Sequence, residues 1–484
     1  MANALLLIVA LAPLPFGSNR PWAWSLLALA TGLLLMLWTW RCWRGGAGQV
    51  VAARRVRGPA LLFLLVCAYA AVQTVPELPP PIANPYWQLP ANLLGVAPYD
   101  SISIDPAATA TALMRLLTYG GIFWLSLQTF RTVEQADHAM FVVALAAAVY
   151  SAYGLLMHFT GAELILWYAK WAHIDSVTGT FPNRNHFATF TGLGLLCALA
   201  WFARQLGAAA NRRGELIELF LHPRPSYFVV VAAVPICILG LVLSLSRAGL
   251  FSTLLACLVF LAGLAVHAGG RRALWVAVLM AFLAISGFYV AIASAGLLER
   301  LALLFDPETI EYRFPAYRLM LDAIADYPWL GLGYGAFEDA FKIYRAPPVE
   351  VYFDTAHSIY LENAIELGLP AATALWLSIG WLGLSGLRAF RSHRSAWVYG
   401  WAAACATLLV GTHAAFDFSL QIPAVAIVYA VILGIGCGQA WTIEERQRRL
   451  PAHAAGPRFA RDLIHQDERL SGPDRPKAYF DRAT

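Results

Sequence analysis

One histidine stands where a long polar segment meets the next apolar segment of the chain. His357 follows residues 299–355, the longest polar stretch between apolar runs, and precedes Glu362 and Glu366, which are one helical turn apart. Because imidazole titrates near neutrality, a histidine at such a boundary can accept a proton from a hydroxyl group. A helix cap or a packed side chain would also explain a lone histidine at a helix entrance. The two acids that follow favour the catalytic interpretation.

Arginine recurs in the polar clusters at the ends of the apolar segments. Arg247 follows Ser244-Leu245-Ser246 in a turn so short that its side chain hardly leaves a membrane surface. The guanidinium group is planar and keeps its charge when partly desolvated, so it suits phosphate oxygens. A snorkelling side chain is the structural alternative. The candidate anion ligands are Arg184, Arg247 and Arg318, with Arg115 and Arg313 in reserve.

Two more polar clusters contain histidine. Arg184 lies between two asparagines and beside His186, and helix capping by asparagine explains only part of this arrangement. His413 and Asp417 form the second cluster, between the last two apolar runs. Both clusters fall on the same side of the chain's predicted topology as His357, so we expect them to meet there.

The polar segment before His357 contains two local patterns. Residues 315–327 predict a helix that Pro328 ends, and on it Arg318 and Asp322 are one turn apart and could form a solvated ion pair. The run Gly331-Leu332-Gly333-Tyr334-Gly335 has no preceding strand, and it lacks the lysine and hydroxyl residue of a phosphate-binding loop. We therefore interpret it as a flexible bend.

The composition places these groups in a membrane protein. Hydrophobic residues make up 59% of the chain and charged residues 13%, which argues against an ordinary soluble domain. Repeated apolar runs of about 17–25 residues are long enough to cross a bilayer as helices. We predict an all-α polytopic membrane protein whose first helix is retained rather than cleaved as a signal peptide. The twelve predicted spans are 2–16, 22–41, 59–76, 108–130, 138–159, 186–204, 227–245, 248–267, 272–296, 358–387, 396–413 and 422–441.

The distribution of arginine orients these spans. Alternate loops carry arginine clusters, whereas residues 77–105 contain no lysine or arginine. Because basic loop residues mark the cytoplasmic side, we predict cytoplasmic termini and an outward-facing loop between the ninth and tenth spans. The predicted units are a membrane domain 1–443, the loop 297–357 within it, and a disordered cytoplasmic tail 444–484.

Several segments together carry a family resemblance. They are Ser246-Arg247-Ala248-Gly249, the stretch from Arg318 through Pro328-Trp329-Leu330 to Gly335, His357-Ser358-Ile359-Tyr360-Leu361-Glu362, and Glu366-Leu367-Gly368-Leu369-Pro370. In their order, their spacing and their position between the ninth and tenth spans, they resemble the O-antigen ligase and polymerase family of bacterial envelope enzymes. Residues 180–186 are similar to a segment of many members. One departure is Ser358, where many members have asparagine.

The resemblance implies a reaction and its partners. Members are similar to glycosyltransferases of the GT-C kind, and they move a glycan from undecaprenyl pyrophosphate to an acceptor hydroxyl at the periplasmic face of the inner membrane. The ligases are regarded as metal-independent, so the resemblance implies neither a metal nor a cofactor. The implied partners are the lipid-linked glycan, an acceptor glycolipid or glycan, and membrane lipids, with no nucleic acid.

The resemblance also gives the candidate residues their roles. His357 would activate or orient the acceptor hydroxyl. The arginines would stabilise the growing charge of the leaving diphosphate without reorganisation. The diphosphate ligands would be Arg184, Arg247 and Arg318, with Arg115 and Arg313 in reserve, and the acceptor or supporting residues would be His186, Glu362, His413 and Asp417.

Alternative functions stay open at this point. The acceptor of a ligase would be lipid A-core oligosaccharide, whereas a polymerase would extend an O-antigen or an exopolysaccharide. We favour the ligase. A transporter of lipid-linked glycans would show internal repeats and polar groups near the bilayer midplane. The ionisable groups of this chain gather instead at the outer boundary, which favours chemistry on one side.

Overall fold

Helices dominate the part of the chain that the structure describes. The computed structural model describes residues 1–45, 51–210, 225–268, 307–347, 349, 351–390 and 397–449. The first helices are α1 (Ala2–Leu11), α2 (Pro21–Trp43), α3 (Arg57–Gln73), α4 (Gln88–Leu94), α5 (Pro106–Thr129), α6 (Val133–Phe159), α7 (Arg184–Ala210), α8 (Pro225–Leu243) and α9 (Arg247–Ala268). The later ones are α10 (Pro307–Asp326), α11 (Phe337–Tyr344), α12 (Ile359–Ser385), α13 (Leu387–Phe390), α14 (Trp397–His413) and α15 (Pro423–Arg449). A short antiparallel hairpin pairs β1 (Leu164–Ile165) with β2 (Tyr168–Ala169).

Eight of the described helices are long and apolar enough to cross a membrane, judged by length and composition. They are α2, α5, α6, α7, α8, α9, α12 together with α13, and α15. The prediction of an all-α polytopic membrane protein is therefore confirmed, whereas the count of twelve spans stays a prediction. The predicted span 272–296 lies outside the described residues. The helices α1 and α3 are apolar but shorter.

Two boundaries show why the apolar runs predict the helices but not all of their ends. The helix α1 ends at Leu11 instead of residue 16, and Pro13, which has no N–H to donate, follows the end of the helix closely. Helix α5 begins one residue after Asp105, whose side chain accepts hydrogen bonds from the backbone N–H groups of Ala107 and Ala108, each at 3.0 Å. Pro106 at the first helical position completes this start signal.

The core is built around α15. Every residue of its most apolar 18-residue window is buried, and it packs against α5 and α14. A helix that is apolar on all sides suits such a central position, because none of its faces needs water. Helix α6 packs against α7 and α8, and α9 packs against α14. The helix α15 continues to Arg449, so the first residues of the predicted tail 444–484 are helical and the rest of that tail lies outside the described residues.

The polar segment before His357 differs from the prediction in two respects. The helix predicted from residue 315 begins at Pro307 and passes through Pro315 before it ends at Asp326, because a proline removes one helical hydrogen bond but need not mark the start. Arg318 and Asp322 are both exposed, and no ion pair joins them among the described residues.

The glycine run is a bend, as predicted, but its backbone is held firmly. Gly331, Gly333 and Gly335 all have positive φ angles of 66°, 114° and 83°. The N–H groups of Leu332 and Gly333 donate to the carbonyls of Ile365 and Glu366, each at 2.9 Å. Residues 331–335 are therefore docked on α12, next to the break in that helix at Gly368.

Candidate functional site

The candidate site is centred on His357, which lies between two helix ends. Its backbone has a φ of 48°, a left-handed conformation that is uncommon outside glycine and often marks functional positions. Its Nδ1 lies 3.5 Å from Oδ1 of Asp417. The imidazole is 27% exposed, whereas the Asp417 side chain is fully buried. The Ile359 N–H donates to the Ala414 carbonyl at 2.9 Å, and this bond fixes the start of α12 on the end of α14.

Glu362 ties together the two loops that carry His357 and Asp417. One of its carboxylate oxygens accepts from the Ala356 N–H at 2.9 Å, and the other accepts from Nε2 of Gln421 at 2.6 Å. The Glu362 side chain, on the first turn of α12, is buried. Glu362 and Glu366, which the sequence placed one turn apart after His357, are therefore both inside the protein. Glu362 positions the two loops instead of offering an exposed charge.

Asp417 is the buried charge of the site. Burial by itself raises the pKa of its carboxyl. The contact with His357 and the nearby His186 and His413 lower that pKa by more, so the net pKa lies below the usual range. Asp417 is thus a carboxylate at physiological pH. The centre of the Phe418 ring lies 4.6 Å from the centre of the His186 ring and 5.5 Å from that of the His357 ring, so one aromatic side chain packs against both histidines.

Several buried polar atoms of this cluster have no hydrogen-bond partner within the described part of the chain. They are Nδ1 of His357, Oδ2 of Asp417, Nε2 of His186, and both ring nitrogens of His413. Buried polar groups usually have partners, and unpaired ones need a reason, such as an ordered water or a functional role. The predicted supporting residues His186, His413 and Asp417 are thus brought together next to His357.

The N-termini of α7 and α9 meet beside this cluster. Arg184 is the first residue of α7 and Arg247 is the first residue of α9. The hydroxyl of Ser246 donates to Oδ1 of Asn185 at 2.7 Å, and the same hydroxyl accepts from the Gly249 N–H at 3.1 Å. Helix N-termini carry positive potential and free N–H groups, so two of them with an arginine each form a favourable place for an anion. The Arg247 side chain is exposed.

The other predicted arginines lie on helices other than α7 and α9. Arg318 is exposed on α10, whose opposite face packs through Ala316, Met320 and Ala323. Arg313 lies on the same helix, but its side chain is outside the described residues. The Arg115 guanidinium lies 5.0 Å from the centre of the Trp24 ring, and its charge also acts on Glu366. Arg115 is thus placed on the Glu366 side of α12.

The sequence analysis missed His173, which lies in the loop between α6 and α7. Burial lowers the pKa of His173, and the charge of Arg184 lowers it further, while Asp417 acts in the opposite direction. The loop is held by a buried Lys170, which pairs with Glu163 at 2.7 Å and donates to the Ser176 carbonyl at 2.8 Å. No motif marks His173, and its only signal was its place shortly before Arg184 in the sequence.

No metal site is evident in the described residues. Within them, no group of three or more histidine, cysteine, aspartate or glutamate side chains is arranged to hold a metal ion. The histidine cluster around Asp417 therefore does not have the geometry of a metal centre. The absence of a metal requirement stays a prediction.

Comparison with known proteins agrees with the sequence resemblance. A family model described as O-antigen ligase matches residues 232–377, which include Arg247, Arg318, His357 and Glu362. The predicted resemblance to the O-antigen ligase and polymerase family is thereby confirmed, and it supports a glycosyltransferase activity of ligase or polymerase type in a multi-pass membrane protein. No curated protein matches the sequence. Arg184 and Asp417 lie outside the matched segment, and the fold brings them to it.

Proposed function

We propose that this protein transfers a glycan from undecaprenyl pyrophosphate to the hydroxyl of lipid A-core oligosaccharide. The match of residues 232–377 to a family model described as O-antigen ligase supports this proposal. In this proposal the protein lies in the bacterial inner membrane with both termini in the cytoplasm, and the site faces the periplasm. The observation that carries the proposal is the pairing of His357 with the buried Asp417, next to two helix N-termini that each begin with an arginine.

The first half of the reaction is assigned to His357. Asp417 at 3.5 Å from Nδ1 favours the tautomer in which Nδ1 carries the proton, so Nε2 is the free base. As the acceptor oxygen bonds to the anomeric carbon, its proton moves to Nε2. Asp417 then stabilises the imidazolium that forms. This division of roles between a base and a buried carboxylate is a general solution for hydroxyl activation.

The second half of the reaction is assigned to the arginines. The bond between the anomeric carbon and the diphosphate oxygen breaks, and negative charge develops on the leaving lipid diphosphate. Arg184 and Arg247, aided by the N-termini of α7 and α9, would stabilise that charge in a place poor in water. Arg318 is the third proposed ligand from the flanking helix α10, and Arg115 and Arg313 stay in reserve.

A deletion experiment tests the function. The gene is deleted in its host, the envelope glycolipids are separated on a gel, and the strain is complemented with wild type, His357→Ala or the control His138→Ala. His138 is exposed at the start of α6, at the opposite end from the site. We expect lipid A-core without long glycan in the deletion strain, polymer retained on the carrier lipid, and rescue by wild type and His138→Ala alone.

The other outcomes identify the alternatives. Accumulation of single repeat units would indicate a polymerase of O-antigen or exopolysaccharide. An unchanged glycolipid pattern would exclude lipopolysaccharide as the product. Full rescue by His357→Ala would refute the role of this histidine.

A further inference from the structure

One side-chain hydrogen bond joins the two helix starts that carry Arg184 and Arg247. Ser246 immediately precedes Arg247 at the start of α9, and Asn185 immediately follows Arg184 on α7. The Ser246 hydroxyl donates to Oδ1 of Asn185 at 2.7 Å and accepts from the Gly249 N–H at 3.1 Å. One buried hydroxyl therefore caps α9 and also ties it to α7.

Small residues next to this hydrogen bond let the two helices approach closely. Gly249 and Thr253 are four positions apart on α9, and Ala188 and Gly192 have the same spacing on α7. A Cβ atom added at Gly249 would overlap the side chain of Ala188, and one added at Gly192 would overlap that of Thr253. Pairs of small residues with this spacing permit close contact between membrane helices. The two contacts and the hydrogen bond together fix the separation of the helix starts.

The turn that leads into α9 is held in an unfavourable conformation. Leu245 has a φ of 57°, which is uncommon for a bulky residue. The Ser244 hydroxyl accepts from the Ser246 N–H at 3.3 Å and donates to the Leu241 carbonyl at 2.6 Å, so it holds both sides of this residue. Backbone strain of this kind is costly and clusters at functional positions. Here it accompanies the placement of Ser246 against Asn185.

The same corner is bonded to the loop that carries Asp417. Thr189 lies one turn after Asn185 on α7, and its hydroxyl oxygen is 3.1 Å from that of Ser419, two residues after Asp417. Asp417 in turn lies 3.5 Å from Nδ1 of His357. The two helix starts are therefore joined to His357 through described contacts.

We infer that Ser246 and Asn185 are positioning residues, whose hydrogen bond holds Arg184 and Arg247 at a fixed separation on one diphosphate. The inference rests on the proposed function and deepens it, because it assigns the preference for a diphosphate over a monophosphate carrier lipid to this hydrogen bond. A ligand with two phosphoryl groups engages both arginines when their separation is fixed, whereas a monophosphate gains little from the second one.

The test compares carrier lipids that differ by one phosphoryl group. The full-length protein in nanodiscs is titrated with undecaprenyl diphosphate and with undecaprenyl monophosphate. We expect the wild type to bind the diphosphate at least about tenfold more tightly, since hydrogen bonds to charged groups are strong. Ser246→Ala should lose most of this preference through weaker diphosphate binding, and Ser246→Thr, which keeps the hydroxyl, should retain it. The matched control is Ser252→Ala, because the Ser252 hydroxyl is also buried but donates to the Ala248 carbonyl of its own helix at 2.7 Å.

A double-mutant cycle isolates the hydrogen bond from the two side chains that make it. Asn185→Ala should lose the preference as Ser246→Ala does, and the double variant should lose little more than either single variant. Gly249→Ala tests the separation with both polar partners intact, and it should also lower the preference. Its control is Gly207→Ala on α7, where an added Cβ atom meets nothing within 4 Å.

The remaining outcomes each decide one point. A merely structural role would lower the melting temperature of Ser246→Ala and leave the diphosphate preference unchanged, and that result would overturn the inference. Equal affinity of the wild type for both lipids, or additive losses in the cycle, would overturn it as well. A preference that depends on Ser246, in a wild type that transfers no glycan, would keep the inference and refute the proposed function.

Discussion

The contact between His357 and Asp417 leads to the most specific prediction. Replacing Asp417 by asparagine keeps the size of the side chain and an oxygen that can accept from the Phe418 N–H, which now donates to Oδ1 at 2.9 Å. It removes the negative charge 3.5 Å from Nδ1 of His357. We therefore expect Asp417→Asn to fold normally and to lose the stabilisation of the protonated imidazole that forms during transfer.

The size of the loss follows from the geometry. Two unit charges at this separation interact by about 5 kcal/mol at an effective dielectric constant of about 20. The imidazole is 27% exposed, so water screens part of this interaction. About half of the energy, roughly 2.5 kcal/mol, corresponds to a decrease in kcat of about two orders of magnitude.

The assay is transfer of a labelled lipid-linked glycan in proteoliposomes over a range of pH. The expected result is a kcat lower by about a hundredfold, an acceptor KM close to the wild-type value, and an acidic limb of the pH–rate profile that moves to lower pH. The control is Asp354→Asn, because Asp354 is exposed and lies three residues before His357. A purely structural role for Asp417 would lower the melting temperature and leave the profile in place. That result, or a normal kcat, would refute the reasoning.

Three further predictions concern the rest of the site. Arg247→Ala should insert into the membrane normally but transfer glycan at least about a hundredfold more slowly, since charge-assisted hydrogen bonds contribute about 1.5–3 kcal/mol each. Arg345→Ala, at an exposed arginine outside the site, should transfer normally in the same proteoliposome assay. Glu362→Gln replaces one of two accepting oxygens by an NH₂ group, so the hydrogen bond to one of the two loops is lost. We expect steady-state kinetics to show a kcat lower by about tenfold with little change in KM. Donor binding should take up a proton at His173, because the pKa of His173 is lowered in the free protein and an anion beside it raises that pKa. Calorimetry in buffers of different ionisation enthalpy should show this uptake, and donor affinity should increase as the pH falls. Both effects should be absent in His173→Ala.

Residue type and position in the sequence are sufficient to predict some of the residues of the candidate site. His357 and Arg247 were selected because a polar side chain at a membrane boundary is costly and is usually kept for use. The structure places both at helix starts, as that argument requires. The apolar runs likewise predicted the long helices, because length and hydropathy alone decide whether a segment can cross a bilayer.

Other parts of the site depend on contacts that the sequence does not display. Asp417 lies sixty positions after His357, and the two meet only because the start of α12 is bonded to the end of α14. The spacing after His357 places Glu362 in the first turn of a helix, but it does not show that the carboxylate accepts from Ala356 and Gln421 in two different loops. Such pairings depend on tertiary packing, which spacing along one chain does not encode.

The buried carboxylate also bears on whether the cluster is functional or structural. A fully buried charge is expensive, and well-packed apolar residues of similar volume are often equally stabilising or better. Asp417 has one oxygen without a partner among the described residues. The charges of His186 and His413 act on it, and Nε2 of His186 and both ring nitrogens of His413 are also unpaired there. A structural network would have used these hydrogen bonds. The arrangement is better explained by a carboxylate held ready for the charge that His357 acquires during the reaction, with the unpaired nitrogens available to water or to substrate hydroxyls.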